Sequence, residues 1–146
     1  MLLIDDTENE RIYGRMDFTE QMERINSKNP FLVHNGIHIT SLSSEKAEAE
    51  ARLEDFSMNM MGTPHAGLLF LLGECTCGTL LRSDGSKQVL TDSTFRFLRA
   101  AGKTERIAAK AVIIKRGRNL SVCRAEIFDP MSGKLLAEGE YQFAAV

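Results

Sequence analysis

The sequence predicts an α+β protein in which a curled antiparallel sheet of about six strands wraps around one long central helix. Three observations carry this expectation. Residues 65–82 form a run that is apolar on nearly every side and holds one acid. Four stretches after it alternate or cluster apolar residues between turn signals, as strands do. Two more such stretches precede it. A helix without a polar face must be enclosed by protein, and twisted antiparallel strands curl to supply the cover.

A chain of 146 residues fits one domain. Such a domain buries roughly 68–70% of its unfolded surface, so it holds a core without staples. Residues 1–17 are polar and mixed and are expected to form an arm; residues 18–146 are expected to form the domain. The net charge of −2 argues against a nucleic-acid partner. No basic amphipathic stretch points to a membrane surface. Cys75, Cys77 and Cys123 have neither the count nor the spacing of a disulfide framework. No second Cys/His pair completes a metal site with Cys75 and Cys77, so no metal is expected and buried thiols are the plain reading. The first residues carry acids where a signal peptide carries bases, and a cytoplasmic location is expected.

Phe18, Met22 and Ile25 fall at i, i+4 and i+7, which predicts a short amphipathic helix over 19–25. Thr19 is its candidate cap, and Asn29-Pro30 stops it. Gly36 opens an alternating stretch through Ile37, Ile39 and Leu42. In residues 46–53, Ala47, Ala49, Ala51 and Leu53 alternate with charged residues. Period two assigns this segment to a strand, although Ala and Glu favour helices. A Met-rich loop, 54–64, leads to the central helix, whose entrance Thr63-Pro64 and exit Asp84-Gly85 suit. Three glycines and a mid-helix acid exclude a membrane span. Strands then follow at 88–99, 104–115, 120–128 and 135–143. Val89, Thr91, Ser93, Phe95 and Phe97 share one parity of the first; Leu120, Val122 and Phe128 share one face of the third. Long terminal strands leave an edge that a second copy of the chain would protect.

Glu74 is the only charged residue between Ala66 and Leu81. A carboxylate in such surroundings is either paired structurally or held for chemistry. Gly67, Leu71, Glu74 and Gly78 share a helical face. Small residues beside an acid admit either a substrate or a tightly packed neighbour, and the pattern does not separate the two. The helix start offers unpaired amides at the positive end of the dipole, which polarise a carbonyl. Amide donors and a carboxylate on one helix are the two parts that thioester hydrolysis needs. The leaving thiolate, whose parent thiol has a pKa of about 8.5, requires no strong acid.

Residues 59–74, NMMGTPHAGLLFLLGE, resemble the N-x-x-G-x-x-H-G-G-x(6)-[DE] signature of hotdog-fold acyl-CoA thioesterases of the phenylacetate-pathway (PaaI-type) and 4-hydroxybenzoyl-CoA groups. The order of elements matches as well, over roughly residues 18–146. The resemblance implies an acyl-CoA or aryl-CoA thioesterase with Glu74 as general base or nucleophile. It implies the Ala66 amide as oxyanion donor and Asn59 as the side chain that places the thioester or the water. It also implies a homodimer or a dimer of dimers, with Glu74 of one chain facing the helix start of the other. Asp92, Thr94, Arg99, Lys103, Gly117 and Arg118 match the region that lines pantetheine and nucleotide. His65 and Gly67 join the substrate-binding set at the helix start, where His65 orders the loop rather than moving a proton. Arg116 and Arg118 are candidates for the CoA phosphates, and a solvated hairpin turn accounts for them equally well. Met58, Met60 and Met61 either line an acyl pocket or pack the loop. His34 and His38 are read as surface or core residues without a chemical role. No cofactor is implied beyond the CoA carried by the substrate. Two departures stand out: Ala66 replaces the second residue of His-Gly-Gly, and Gly78 stands where some relatives carry a hydroxyl. Rival readings are a non-catalytic acyl-CoA-binding protein and an enoyl-CoA hydratase or dehydratase pairing His65 with Glu74.

Overall fold

The computed structural model describes residues 17–146; all but the last position of the expected N-terminal arm lies outside them. Helix α1, Phe18–Lys28, is three residues longer at its end than the apolar spacing predicts. Its cap is Asp17, not Thr19. The Asp17 carboxylate accepts from the Glu20 amide at 2.8 Å and the Glu20 side chain accepts from the Asp17 amide at 3.3 Å, so two orphan donors are satisfied reciprocally. Asn29-Pro30 does end α1, but Asn29 also caps a second short helix, α2, Pro30–His34, with proline in its first turn.

Strands β1, Ile37–Leu42, and β2, Lys46–Arg52, form a hairpin. A 3₁₀ turn, Asp55–Ser57, sits in the Met-rich loop. Helix α3, Ala66–Arg82, is the central helix. Strands β3, Gln88–Phe97, β4, Arg106–Lys115, β5, Leu120–Phe128, and β6, Leu135–Ala145, complete one antiparallel sheet in the order β1-β2-β4-β5-β6-β3.

The helix lies against one face of this sheet, and the sheet is cut to receive it. Ala47, Ala111, Ala125 and Gly139 stand opposite one another across β2, β4, β5 and β6. The three alanines are buried to within 1% of completely. A row of methyl groups makes a trough in which a helix approaches the backbone closely, while Leu72, Leu80 and Leu81 fill the space beside it. This resolves the conflict in the Lys46–Arg52 segment. Its alanines are poor strand formers individually, yet the helix needs small residues beneath it, and packing overrides propensity.

The other differences from expectation have local causes. A bulge between Leu90 and Asp92 breaks the single parity read for β3, so Ser93 and Phe95, not Val89, continue toward the helix side. In β5 the face carrying Leu120, Val122 and Phe128 is the outer one; Ser121, Cys123, Ala125 and Ile127 point inward.

The two sheet edges are treated differently. On β1 the Asn26 side chain accepts from the Ile39 amide at 2.7 Å and donates to the Ile39 carbonyl at 2.9 Å. It stands in for a neighbouring strand. On β3, ten residues long, β6 is the one paired strand among the described residues, and the other edge is open among them. With its inner face so covered, the sheet and helix form the hotdog arrangement.

Candidate active site

The helix start is built by the loop before it. Asn59 is the centre of that loop. Its side-chain oxygen accepts from the amides of Met61 at 2.9 Å and Thr63 at 3.2 Å, and its side-chain nitrogen donates to the Thr63 hydroxyl at 2.9 Å. Its backbone adds bonds with Thr63 and Gly62. Gly62 takes the left-handed conformation, φ 74°, which the turn requires. Asn59 thus spends three of its four side-chain hydrogen bonds inside the loop.

His65, not Thr63 or Pro64, is the N-cap of α3. Its Nδ1 accepts from the Gly67 amide at 2.9 Å, and its carbonyl accepts from Leu68 at 3.0 Å and Leu69 at 3.4 Å. Among the first-turn amides of α3, Ala66 alone has no hydrogen-bond partner among the described residues. It borders a cleft of about 300 Å³ lined by Asn59, Met61, Leu69, Phe97 and Arg99 among others. Phe97 and Leu98 join this lining although sequence reasoning gave them no role; Phe97 was visible only as a strand residue.

Glu74 is half-buried rather than deep, and it has no ion pair among the described residues. Buried thiols lie beside it. Burial pushes the Cys75 thiol well above its ordinary range, and the charge of Glu74 adds to that. The Tyr141 phenol is raised in the same sense, first by burial and then by the nearby cysteines and Glu74.

Of the four residues predicted to share the Glu74 face, Gly67 is exposed and Leu71 half-buried, but Gly78 is buried. A Cβ on Gly78 would lie 2.6 Å from a guanidinium nitrogen of Arg82. Arg82 is anchored there by two bonds to the Gln88 carbonyl, at 3.0 and 2.8 Å. The space at Gly78 therefore belongs to Arg82, whereas Gly67 is exposed.

The remaining predicted residues fall in three places. Asp92 and Thr94 are exposed on β3. Arg99 and Lys103 are exposed in the segment between β3 and β4, with Arg99 at the cleft. Arg116 lies at the far end of α3, donating to the Leu81 carbonyl at 3.1 Å and to Asp84 at 2.8 Å. Gly117 donates to the Ser121 hydroxyl at 3.2 Å and packs so close to the Leu120 carbonyl that no side chain fits; Arg118 is exposed beside it. Met61 lines the cleft, Met60 is fully exposed and Met58 pairs with Pro64 in the loop. His34 stacks on Phe56, and His38 contacts Asn26.

One long helix laid in a curled six-stranded antiparallel sheet is the hotdog fold. A sequence model of the thioesterase superfamily matches residues 61–135, which is just over half of the chain. Acyl-coenzyme A thioesterase 13 of Mus musculus is 27% identical over 107 residues, 72% of this chain and 76% of that protein. A putative esterase of Deinococcus radiodurans is 29% identical over 102 residues, 70% of this chain and 69% of that one. Among solved structures, a thioesterase from Haemophilus influenzae superposes with a TM-score of 0.81 at 22% identity, covering 92% of this chain and 94% of that chain. The E. coli PaaI protein from the phenylacetic acid degradation operon gives 0.80 at 20% identity, covering 88% and 92%. The chain belongs to the thioesterase superfamily and is a thioester hydrolase. No helix among the described residues is long and apolar enough to cross a membrane.

Proposed function

We propose that the protein hydrolyses acyl-CoA or aryl-CoA thioesters at a site assembled from two copies of the chain. The observation that carries this reading is the unpaired amide of Ala66, a residue that lines the cleft. Helix starts bind developing negative charge on oxygen, and here the loop and His65 satisfy the neighbouring donors while leaving this one free. A methyl group at position 66 does not obstruct it, because the donor is backbone and the residue is exposed.

Glu74 of the same chain does not reach a carbonyl held there. Eight residues of helix separate the two by about 12 Å along the axis. Two antiparallel helices related by a twofold near Phe70 bring Glu74 of a second copy to Ala66 of the first. The open edge of β3 offers the surface for that pairing. The same symmetry carries Arg116–Arg118 of the second copy, some 22 Å along α3 from Ala66 in their own chain, toward the outer end of the cleft. Arg118, Arg99 and Lys103 would then meet the CoA phosphates, with Asp92 and Thr94 along the pantetheine path, while Arg116 stays with Asp84.

In the reaction, the thioester oxygen accepts from Ala66. Glu74 removes a proton from water, whose oxygen forms the new bond to the carbonyl carbon, or attacks that carbon itself before water releases the acyl group. The C–S bond breaks, and the thiolate regains the proton. Asn59 acts by shaping the loop and has one N–H left for substrate or water.

Thiol release measured over short, medium, long and aryl CoA esters tests the reading, with Glu74→Gln as control. Turnover in the wild type and its loss in a folded Glu74→Gln protein are expected. Tight binding of CoA esters by calorimetry with no thiol release, or hydration of an enoyl-CoA in its place, would overturn the proposal.

A further inference from the structure

Tyr141 is fully buried on β6, and its hydroxyl donates to the Phe70 carbonyl of α3 at 2.8 Å. That carbonyl also receives the Glu74 amide through the i→i−4 pattern of the helix. Gly73, next to Glu74, is what lets the phenol reach it: a Cβ there would collide with the Tyr141 hydroxyl and lie 2.9 Å from the ring carbon that bears it. The Tyr141 ring is held in turn by Phe70 and Phe95, with centroids 5.2 and 5.8 Å away. Phe95 stands on β3, at the open edge, and is seated over Gly139, where no side chain would fit beneath it. Burial keeps the phenol protonated and therefore a permanent donor.

We propose that Tyr141, admitted by Gly73, is a positioning residue for Glu74: it pins the helical turn that carries the carboxylate to the sheet and so fixes where the carboxylate points. The inference rests on Glu74 being the reacting group. Contact with a row of methyl groups is non-directional and leaves the helical turn some freedom of rotation. One directional bond from the sheet to the turn before Glu74 removes that freedom. Oxygen positions a few tenths of an ångström off target suffice to slow a reaction between groups held on two separate chains.

The test is a double-mutant cycle of Tyr141→Phe and Gly73→Ala, read as kcat, KM and Tm on the full-length chain. Tyr141→Phe keeps the ring and removes the bond; kcat is expected to fall on the order of tenfold with KM unchanged. Gly73→Ala pushes the phenol off Phe70 and should produce a similar fall in kcat, and the two changes together should cost less than their product because both break one contact. Ile127→Val, at a fully buried position of β5, serves as the comparator for a plain loss of stability: its Tm falls but its kcat holds. If Tyr141→Phe lowers Tm and leaves kcat at the wild-type value, the positioning role is overturned. Loss of activity in Glu74→Gln with full activity in Tyr141→Phe sinks this inference alone. Full activity in Glu74→Gln sinks the proposed function instead. Where Gly73→Ala fails to fold, the Tyr141→Phe and Ile127→Val pair decides the matter.

Discussion

His65 Nδ1 accepts the Gly67 amide at 2.9 Å and in doing so leaves the Ala66 amide as the free donor of the helix start. Through its imidazole and its carbonyl together, His65 thus divides the orphan N–H groups of α3 into those the protein keeps and the one it offers. That division makes the role of each residue separable by substitution.

Ala66→Pro deletes that N–H and little else. Position 66 opens the helix, where proline is favoured, and His65 at φ −62° and ψ 138° already has the conformation that precedes proline. We expect Tm within a degree or two of wild type and thiol release reduced about 100-fold, as for loss of an oxyanion donor. Equal activity in a steady-state assay would remove Ala66 from the mechanism.

The proposed sharing of a site between two copies predicts complementation. Ala66→Pro and Glu74→Gln proteins should each be nearly inactive. Unfolded together and refolded as a statistical mixture, they should regain about a quarter of wild-type activity, because half the pairs are mixed and each holds one intact site of two. A mixture no better than its parents would show that one chain suffices or that the pairing is wrong.

His65→Ala removes the cap as well as the imidazole. The loss of a helix cap costs about 1 kcal/mol, so Tm should fall by several degrees. The freed Gly67 amide then competes with Ala66 for the carbonyl, and kcat should fall less than in Ala66→Pro. His65→Asn, which retains a cap acceptor, is expected to restore Tm in a thermal melt.

Burial raises both the Cys75 and the Cys77 thiols, with the Glu74 charge adding in each case and Cys123 adding at Cys77. Raised thiols stay protonated and unreactive at neutral pH. Native protein should therefore leave these two unmodified by a disulfide reagent at pH 8, and unfolding in denaturant should expose them. Rapid modification of either in the native state, mapped by mass spectrometry, would contradict the packing of α3 against β5.

Asp129 makes a different pH signature. Its carboxylate accepts from the Met131 amide at 2.9 Å, the Ser132 hydroxyl at 2.9 Å and the Thr104 hydroxyl at 3.3 Å, and the Met131 bond foremost holds it below the usual aspartate range. A group with a depressed folded pKa contributes stability above its unfolded pKa and loses it as pH falls through the folded one. Asp129→Asn should lower Tm at pH 7, and the gap to wild type should close as the pH falls below about 4. A gap that does not change with pH would assign the effect to shape rather than charge.

Much of this protein is legible in the order of its residues. The enclosed helix, the four strands after it and Glu74 as the one acid of that helix follow from periodicity, from turn residues and from composition, because those signals are local, whereas Asn59 is singled out only by the resemblance of residues 59–74 to the thioesterase signature. Helix ends were less legible. Asp17, not Thr19, caps α1, and His65, one residue beyond the expected Thr63-Pro64 entrance, caps α3, since a cap is chosen by which side chain reaches an amide.

What tertiary structure alone decided is relational. The Ala47–Ala111–Ala125–Gly139 row makes a strand of a helix-prone segment, because four strands must meet one helix. Arg82 occupies the space beside Gly78 and Tyr141 the space beside Gly73, though neither contact follows from sequence spacing. Residue types supplied the amide and the acid, which are local; which side chains crowd the turn around that acid is set by strands distant in sequence.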